Sequence, residues 1–164
     1  QAVREGRADF GVCTADLASH DLVTQVLYQD TLVVVCHPDH ALAGKRELRW
    51  AELTDQSLIL LGASTGLRRL VEQSLGRLML NLKPAFEVAN VQTVTGLVAA
   101  GLGVSVLPSY SLVRADEKRV VAVPLIDPVV TREIVAVCTR ARPFSIAAEA
   151  FLKLLRKSAA QMSP

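Results

Sequence analysis

The sequence has no apolar run approaching the roughly 18 residues of a membrane span. Nor has it a long basic run: 18 Lys+Arg stand against 16 Asp+Glu, a net charge of +2. A nucleic-acid surface usually shows a clustered basic stripe, so nothing here suggests direct DNA contact. Cysteines are few. Cys13, Cys36 and Cys138 lie far apart, are odd in number and show no Cys-x-x-Cys spacing. They read as buried reduced thiols rather than a disulfide framework, with a redox switch as the other reading. There are no internal repeats, low-complexity tracts or Pro/Gly/Ser-rich linkers. Residues 1–7 are polar and lack the apolar core of a secretion signal. They read as the tail of a helix capped by Gly6, running straight into a strand. The expectation is that an N-terminal portion is missing.

What is present is a globular composition: 164 residues, 51% hydrophobic and 21% charged. That suffices for one domain or two small lobes. The most informative stretch is Ser57-Leu58-Ile59-Leu60-Leu61-Gly62-Ala63-Ser64-Thr65-Gly66-Leu67-Arg68-Arg69-Leu70. It reads as a buried strand, a small-residue turn with two hydroxyls, and a helix start capped by Ser64 or Thr65. A helix start offers about four backbone N–H groups without intrahelical partners, and its dipole favours an anion. Gly62-Ala63-Ser64-Thr65-Gly66 also matches the nucleophile elbow of serine hydrolases.

Taken in order, residues 8–13 read as a strand followed by a polar loop beginning at Thr14. Residues 22–28 and 31–36 read as two further strands, the second a continuous apolar run stopped by Pro38. One or two helical turns are expected over 47–53, with Trp50 packed there. Leu67, Leu70, Val71, Leu75 and Leu78 follow helical spacing after the strand at 58–61. A strand at 84–89 leads to a helix opening at 90–93 and ending at Gly101. Residues 103–108, 120–125 and 133–139 read as strands, and an amphipathic helix follows Phe144. Strands alternating with helices argue for α/β layers and a largely parallel sheet. Ligands then sit beyond the carboxyl ends of strands. The hydroxyl-bearing loops at Thr14, Ser64 and Thr93 are all of that kind.

The hydrolase elbow needs a histidine after the serine, yet His20, His37 and His40 all precede Ser64. The reading of Ser64 is therefore capping plus ligand binding, with no catalytic residue assigned. Cys36, His37 and His40 fall short of a closed four-ligand zinc site, and no metal or cofactor is expected. Gly101-Leu102-Gly103 follows a helix and precedes a strand, the reverse of a dinucleotide fingerprint. Arg68 could reach an anionic ligand, but a solvated arginine on an exposed helix face is the plainer reading.

Three segments carry a resemblance. Gly6-Arg7-Ala8-Asp9-Phe10-Gly11-Val12, Leu32-Val33-Val34-Val35-Cys36-His37-Pro38-Asp39-His40-Ala41-Leu42-Ala43 and Leu97-Val98-Ala99-Ala100-Gly101-Leu102-Gly103-Val104-Ser105-Val106-Leu107-Pro108 resemble, in order, signatures of LysR-type transcriptional regulators. The resemblance spans essentially the whole chain and implies their effector-binding domain. Its fold is α/β, with two lobes like type 2 periplasmic binding proteins, a cleft between them and two crossover strands. Lobe I would comprise 1–31 and 134–164, and lobe II 32–133. The crossover strands would be 31–36 and 133–139, which places Cys36 and Cys138 on neighbours. The family's winged helix-turn-helix, its linker helix and the first strand, helix and strand of lobe I have no counterpart here.

The function so implied is non-catalytic sensing of a small anionic effector, transmitted to a DNA-binding region absent from this chain. The matching effector-binding positions are Thr14, Gly62, Ala63, Ser64, Thr65, Gln92 and Thr93. Implied partners of the full-length protein are the effector, DNA through the missing helix-turn-helix, RNA polymerase, and further copies in a homodimer or tetramer. A cytoplasmic location follows from the unpaired cysteines and the family. The alternatives are a small serine hydrolase fragment using the Ser64 elbow and a fragment of a periplasmic solute-binding protein.

Overall fold

A computed structural model describes residues 1–80, 83–112 and 119–160. The strands are β1 (Gly11–Thr14), β2 (Leu22–Cys36), β3 (Leu48–Arg49), β4 (Leu58–Leu61), β5 (Pro84–Val88), β6 (Ser105–Pro108), β7 (Val121–Ile126) and β8 (Thr131–Thr139). The helices are α1 (Gly66–Arg77), α2 (Val91–Ala99) and α3 (Ile146–Ala160). The chain divides into two compact units. The first is Gln1–Asp30 with Thr131–Pro164, and the second is Thr31–Val130. Part of the loop expected before Val120 falls in 113–118, outside the described residues.

The second unit is built on strand alternation. Leu32, Val34, Cys36, Leu58, Leu60, Val104 and Val106 face one apolar cluster with Val71 and Leu75 of α1. Val35, Ile59, Leu61 and Leu107 face the opposite cluster with Val94 and Val98 of α2. Successive strand side chains point to opposite faces, so a sheet covered on both sides needs apolar residues at every position. That is the physical origin of the unbroken runs at 32–36 and 58–61. β4 and β5 are parallel, with Leu61 opposite Val88. β6 joins β4 through a parallel bridge, Leu58 to Val104, and β3 runs parallel to β7.

The largely parallel sheet expected from the sequence is corrected here. β2 pairs antiparallel with both β6 and β7, and β1 antiparallel with β8. The two strands expected at 22–28 and 31–36 are one strand of 15 residues. The helix expected over 47–53 is a two-residue strand followed by a single 3-10 turn, Trp50–Leu53. Trp50 is fully buried, and its indole N–H donates to the Pro128 carbonyl at 2.9 Å. Gly103 is required by close approach: a Cβ there would lie 2.2 Å from the Ser57 carbonyl oxygen.

In the first unit β8 lies between β1 and β2. α3 covers this sheet through Ala148 and Leu152, with Leu27, Ile134 and Ala136 beneath them. Not all of the amphipathic helix is covered: Phe151 and Leu154 remain half-exposed or more. At the first unit's last residue before the chain crosses over, Asp30 is buried and paired with Arg132, Oδ2 to Nη2 at 3.0 Å. Residues 1–7 form helical turns ended by Gly6, whose φ of 70° is a left-handed cap. Cys138 is buried in this unit, whereas Cys36 lies in the second, opposite Val121 of β7.

Candidate functional site

β4 and β5 are adjacent and parallel, so the loops at their carboxyl ends lie side by side. The ladder continues one step past the strands: the Gly62 N–H donates to the Val88 carbonyl at 3.0 Å. The first loop turns tightly because Gly62 O accepts from both the backbone N–H of Thr65 (3.0 Å) and its hydroxyl (2.9 Å). Thr65 is the N-cap of α1, with its side-chain oxygen accepting from the Arg68 N–H at 3.2 Å. Ser64 is exposed, and its hydroxyl makes no hydrogen bond among the described residues.

The second loop runs from β5 into α2. Its cap is Asn90, whose Oδ1 accepts from the Thr93 backbone N–H at 2.9 Å and from the Thr93 hydroxyl at 3.0 Å. The Thr93 hydroxyl, expected at an effector-binding position of this loop, donates to Asn90 within the loop itself. Gln92 is exposed on the first turn. At α1 the N–H groups of Gly66 and Leu67, and at α2 those of Val91 and Gln92, have no partner among the described residues. Two neighbouring helix starts thus present free donors, the arrangement that suits an anion.

The structure brings Gly62, Ala63, Ser64, Thr65, Gln92 and Thr93 into one unit, on two adjoining loops. Thr14 belongs to the first unit. It is half-buried at the end of β1, opposite Ile134, and precedes a 3-10 turn without capping it through its side chain.

Arg68 corrects the expectation of a solvated side chain. Its side chain is only 10% exposed and reaches three elements. Nε donates to Glu72 Oε1 at 2.7 Å, and Nη1 to the Leu61 carbonyl at 3.2 Å and to Glu87 Oε2 at 3.3 Å. Spacing showed only the Glu72 pair at i, i+4. Glu87, nineteen residues away, gives no local signal.

The cluster at the end of β2 is engaged locally. His37 Nδ1 accepts from the Asp39 N–H and His40 Nδ1 from the Leu42 N–H, both at 3.2 Å. Burial raises the pKa of the Cys36 thiol, and burial with nearby Asp16 raises that of Cys13. Neither is poised as a thiolate. Among the described residues no three His, Cys, Asp or Glu side chains gather to hold a metal. Nor is any helix among them long and apolar enough to cross a membrane.

A family model described as the LysR substrate binding domain matches residues 1–160. The uncharacterized HTH-type transcriptional regulator YbhD of Escherichia coli strain K12 is 32% identical over 155 residues, covering 94% of this chain and 49% of its own length. The chain therefore spans about half the length of the curated relatives it matches. The regulatory domain of CcmR from Synechocystis PCC6803, solved in complex with 2-PG, superposes with a TM-score of 0.81 at 22% identity, covering 96% of this chain and 76% of that one. The effector binding domain of QuiR, solved with shikimate, gives a TM-score of 0.77 at 21% identity, covering 98% and 76%. At such identities the two structures establish the fold. None of these matches supports the serine-hydrolase or periplasmic solute-binding readings.

Proposed function

Because this chain belongs to the LysR substrate-binding domain family, we propose that it is the effector-sensing part of a transcriptional regulator and takes a small anionic ligand at the loops ending β4 and β5. The family is regulatory and not enzymatic. The observation that carries the ligand reading is the pair of adjoining helix starts. Four first-turn N–H groups and the Ser64 hydroxyl lack partners there among the described residues, on loops joined by the Gly62–Val88 hydrogen bond at 3.0 Å.

The roles divide by geometry. The backbone donors of Gly66, Leu67, Val91 and Gln92 hold the anionic group, and Ser64 adds a hydroxyl donor. Thr65 shapes the first loop and Thr93 the second. Gly62 and Ala63 keep the approach open, and Gln92 lends a side-chain amide. The lobes of the sensor are 1–31 with 134–164, and 32–133. 2-PG and shikimate, the ligands of two structural neighbours, support a small polar effector in this fold.

LysR regulators bind DNA through an N-terminal helix-turn-helix, and effector occupancy reaches it by shifting a conformational equilibrium, which requires unequal affinity for the two states. For the whole protein the reading is a cytoplasmic homodimer or tetramer, with RNA polymerase as a further partner. A calorimetric screen of small carboxylates and phosphate esters tests the ligand reading. Binding by at least one, weakened by Ser64→Ala without loss of the folded state, is expected. Failure of every anion to bind overturns it.

A further inference from the structure

We propose that Arg68 is a positioning residue for the effector site, setting the spacing between the two strand-end loops without touching the ligand. The inference rests on the reading of those loops as the site.

Arg68 acts on the first loop from both ends. Its backbone N–H is held by the Thr65 side chain, and its guanidinium holds the carbonyl of Leu61, the last residue of β4. The same Nη1 reaches Glu87, one residue before the end of β5. The end of β4 is thereby tied to the end of β5, and each leads directly into one loop. Beyond Leu61 and Val88 the ladder has the single Gly62–Val88 bond. Arg68 is the side-chain brace beside it.

Arginine suits this place and lysine does not. A planar guanidinium presents five donors in a fixed fork, so Nε and Nη1 serve different partners at once. The group is nine-tenths covered, while Glu72 and Glu87 are about half-exposed. The carboxylates can hydrate when the brace is removed, whereas the Leu61 carbonyl loses its side-chain donor. Shortening the side chain should therefore loosen the loops and leave the sheet intact.

The test is amide hydrogen exchange with assigned 1H–15N spectra of this chain, free and titrated with inorganic phosphate. In the free protein Arg68→Ala is expected to speed exchange at Gly62 and Thr65 by tenfold or more and to shift the resonances of 90–93 across the gap. Val34 and Val123 stay protected. Arg68→Lys restores part of the protection, and Glu87→Gln, which keeps an acceptor oxygen, disturbs the loops less than Arg68→Ala. Changes confined to α1, or exchange raised throughout the second unit, overturn the proposal. The phosphate arm separates the two readings. If phosphate leaves both loops of the wild type unmoved while Arg68→Ala still couples them, the brace stands and phosphate recognition at the site fails. If phosphate binds there but Arg68→Ala leaves 90–93 unchanged, only the positioning role falls.

Discussion

Ser105 is 1% exposed, and its hydroxyl has no hydrogen-bond partner among the described residues. It sits opposite Val35, whose side chain belongs to the cluster under α2. A buried donor without a partner costs about 1–3 kcal/mol relative to an apolar group of similar shape. Ser105→Ala is therefore expected to stabilise the second unit by about 1 kcal/mol in urea unfolding. A destabilised variant would show that the hydroxyl is satisfied. Glu52 is the opposite case. It accepts from the Arg49 backbone N–H at 2.8 Å and from Lys45, and these bonds, the backbone one first, hold its carboxyl below the ordinary 4.5. A depressed folded pKa contributes stability that is complete above the unfolded value and lost as pH falls through the folded one. Glu52→Gln should lower the thermal midpoint at neutral pH and lower it less in acid, as the carboxyl becomes protonated in both states. An equal loss at both would contradict this assignment.

Among the elements, β4 and α1 were legible because their physics is local. Four apolar residues bounded by Ser57 and Gly62 make a strand buried on both faces, and i, i+3, i+4 spacing makes the helix behind it. The cap was legible only as a choice between Ser64 and Thr65, because both carry a hydroxyl at a plausible offset. The structure selects Thr65 and leaves the Ser64 hydroxyl out of the cap. The two substitutions should therefore separate. Thr65→Ala is expected to cost about 1 kcal/mol of stability, the usual value of a cap, while Ser64→Ala changes stability by less than about 0.5 kcal/mol. Comparable losses at both positions would put the cap elsewhere. Other features were not legible, for one shared reason. Gln29-Asp30 reads as a polar break between two strands, yet Asp30 is buried against Arg132, 102 residues away, so β2 continues through it. Arg68 reads as solvated until Glu87 is known to lie beside it. The antiparallel pairing of β2 with β6 and β7 is likewise a long-range choice that no local pattern encodes.

At the scale of the molecule, the chain makes one unit from its two ends and another from its middle, crossing at residues 30–31 and 130–131. Alternating periods in the sequence indicated α/β layers; the discontinuous arrangement came from the resemblance, since no linker composition marks either crossing. The donors of the proposed ligand site lie within the second unit, on loops that two parallel strands bring together. The direct test is to map a bound anion: 1H–15N shifts of this chain titrated with shikimate and with small phosphate esters. The account predicts that a ligand from this set moves the amides of Gly62, Ala63, Ser64, Gly66, Leu67, Val91 and Gln92 together. It also predicts that Ser64→Ala weakens that ligand about tenfold, the value of one hydrogen bond to a charged group. Saturable binding that leaves both loops unmoved, or that Ser64→Ala does not change, would contradict it.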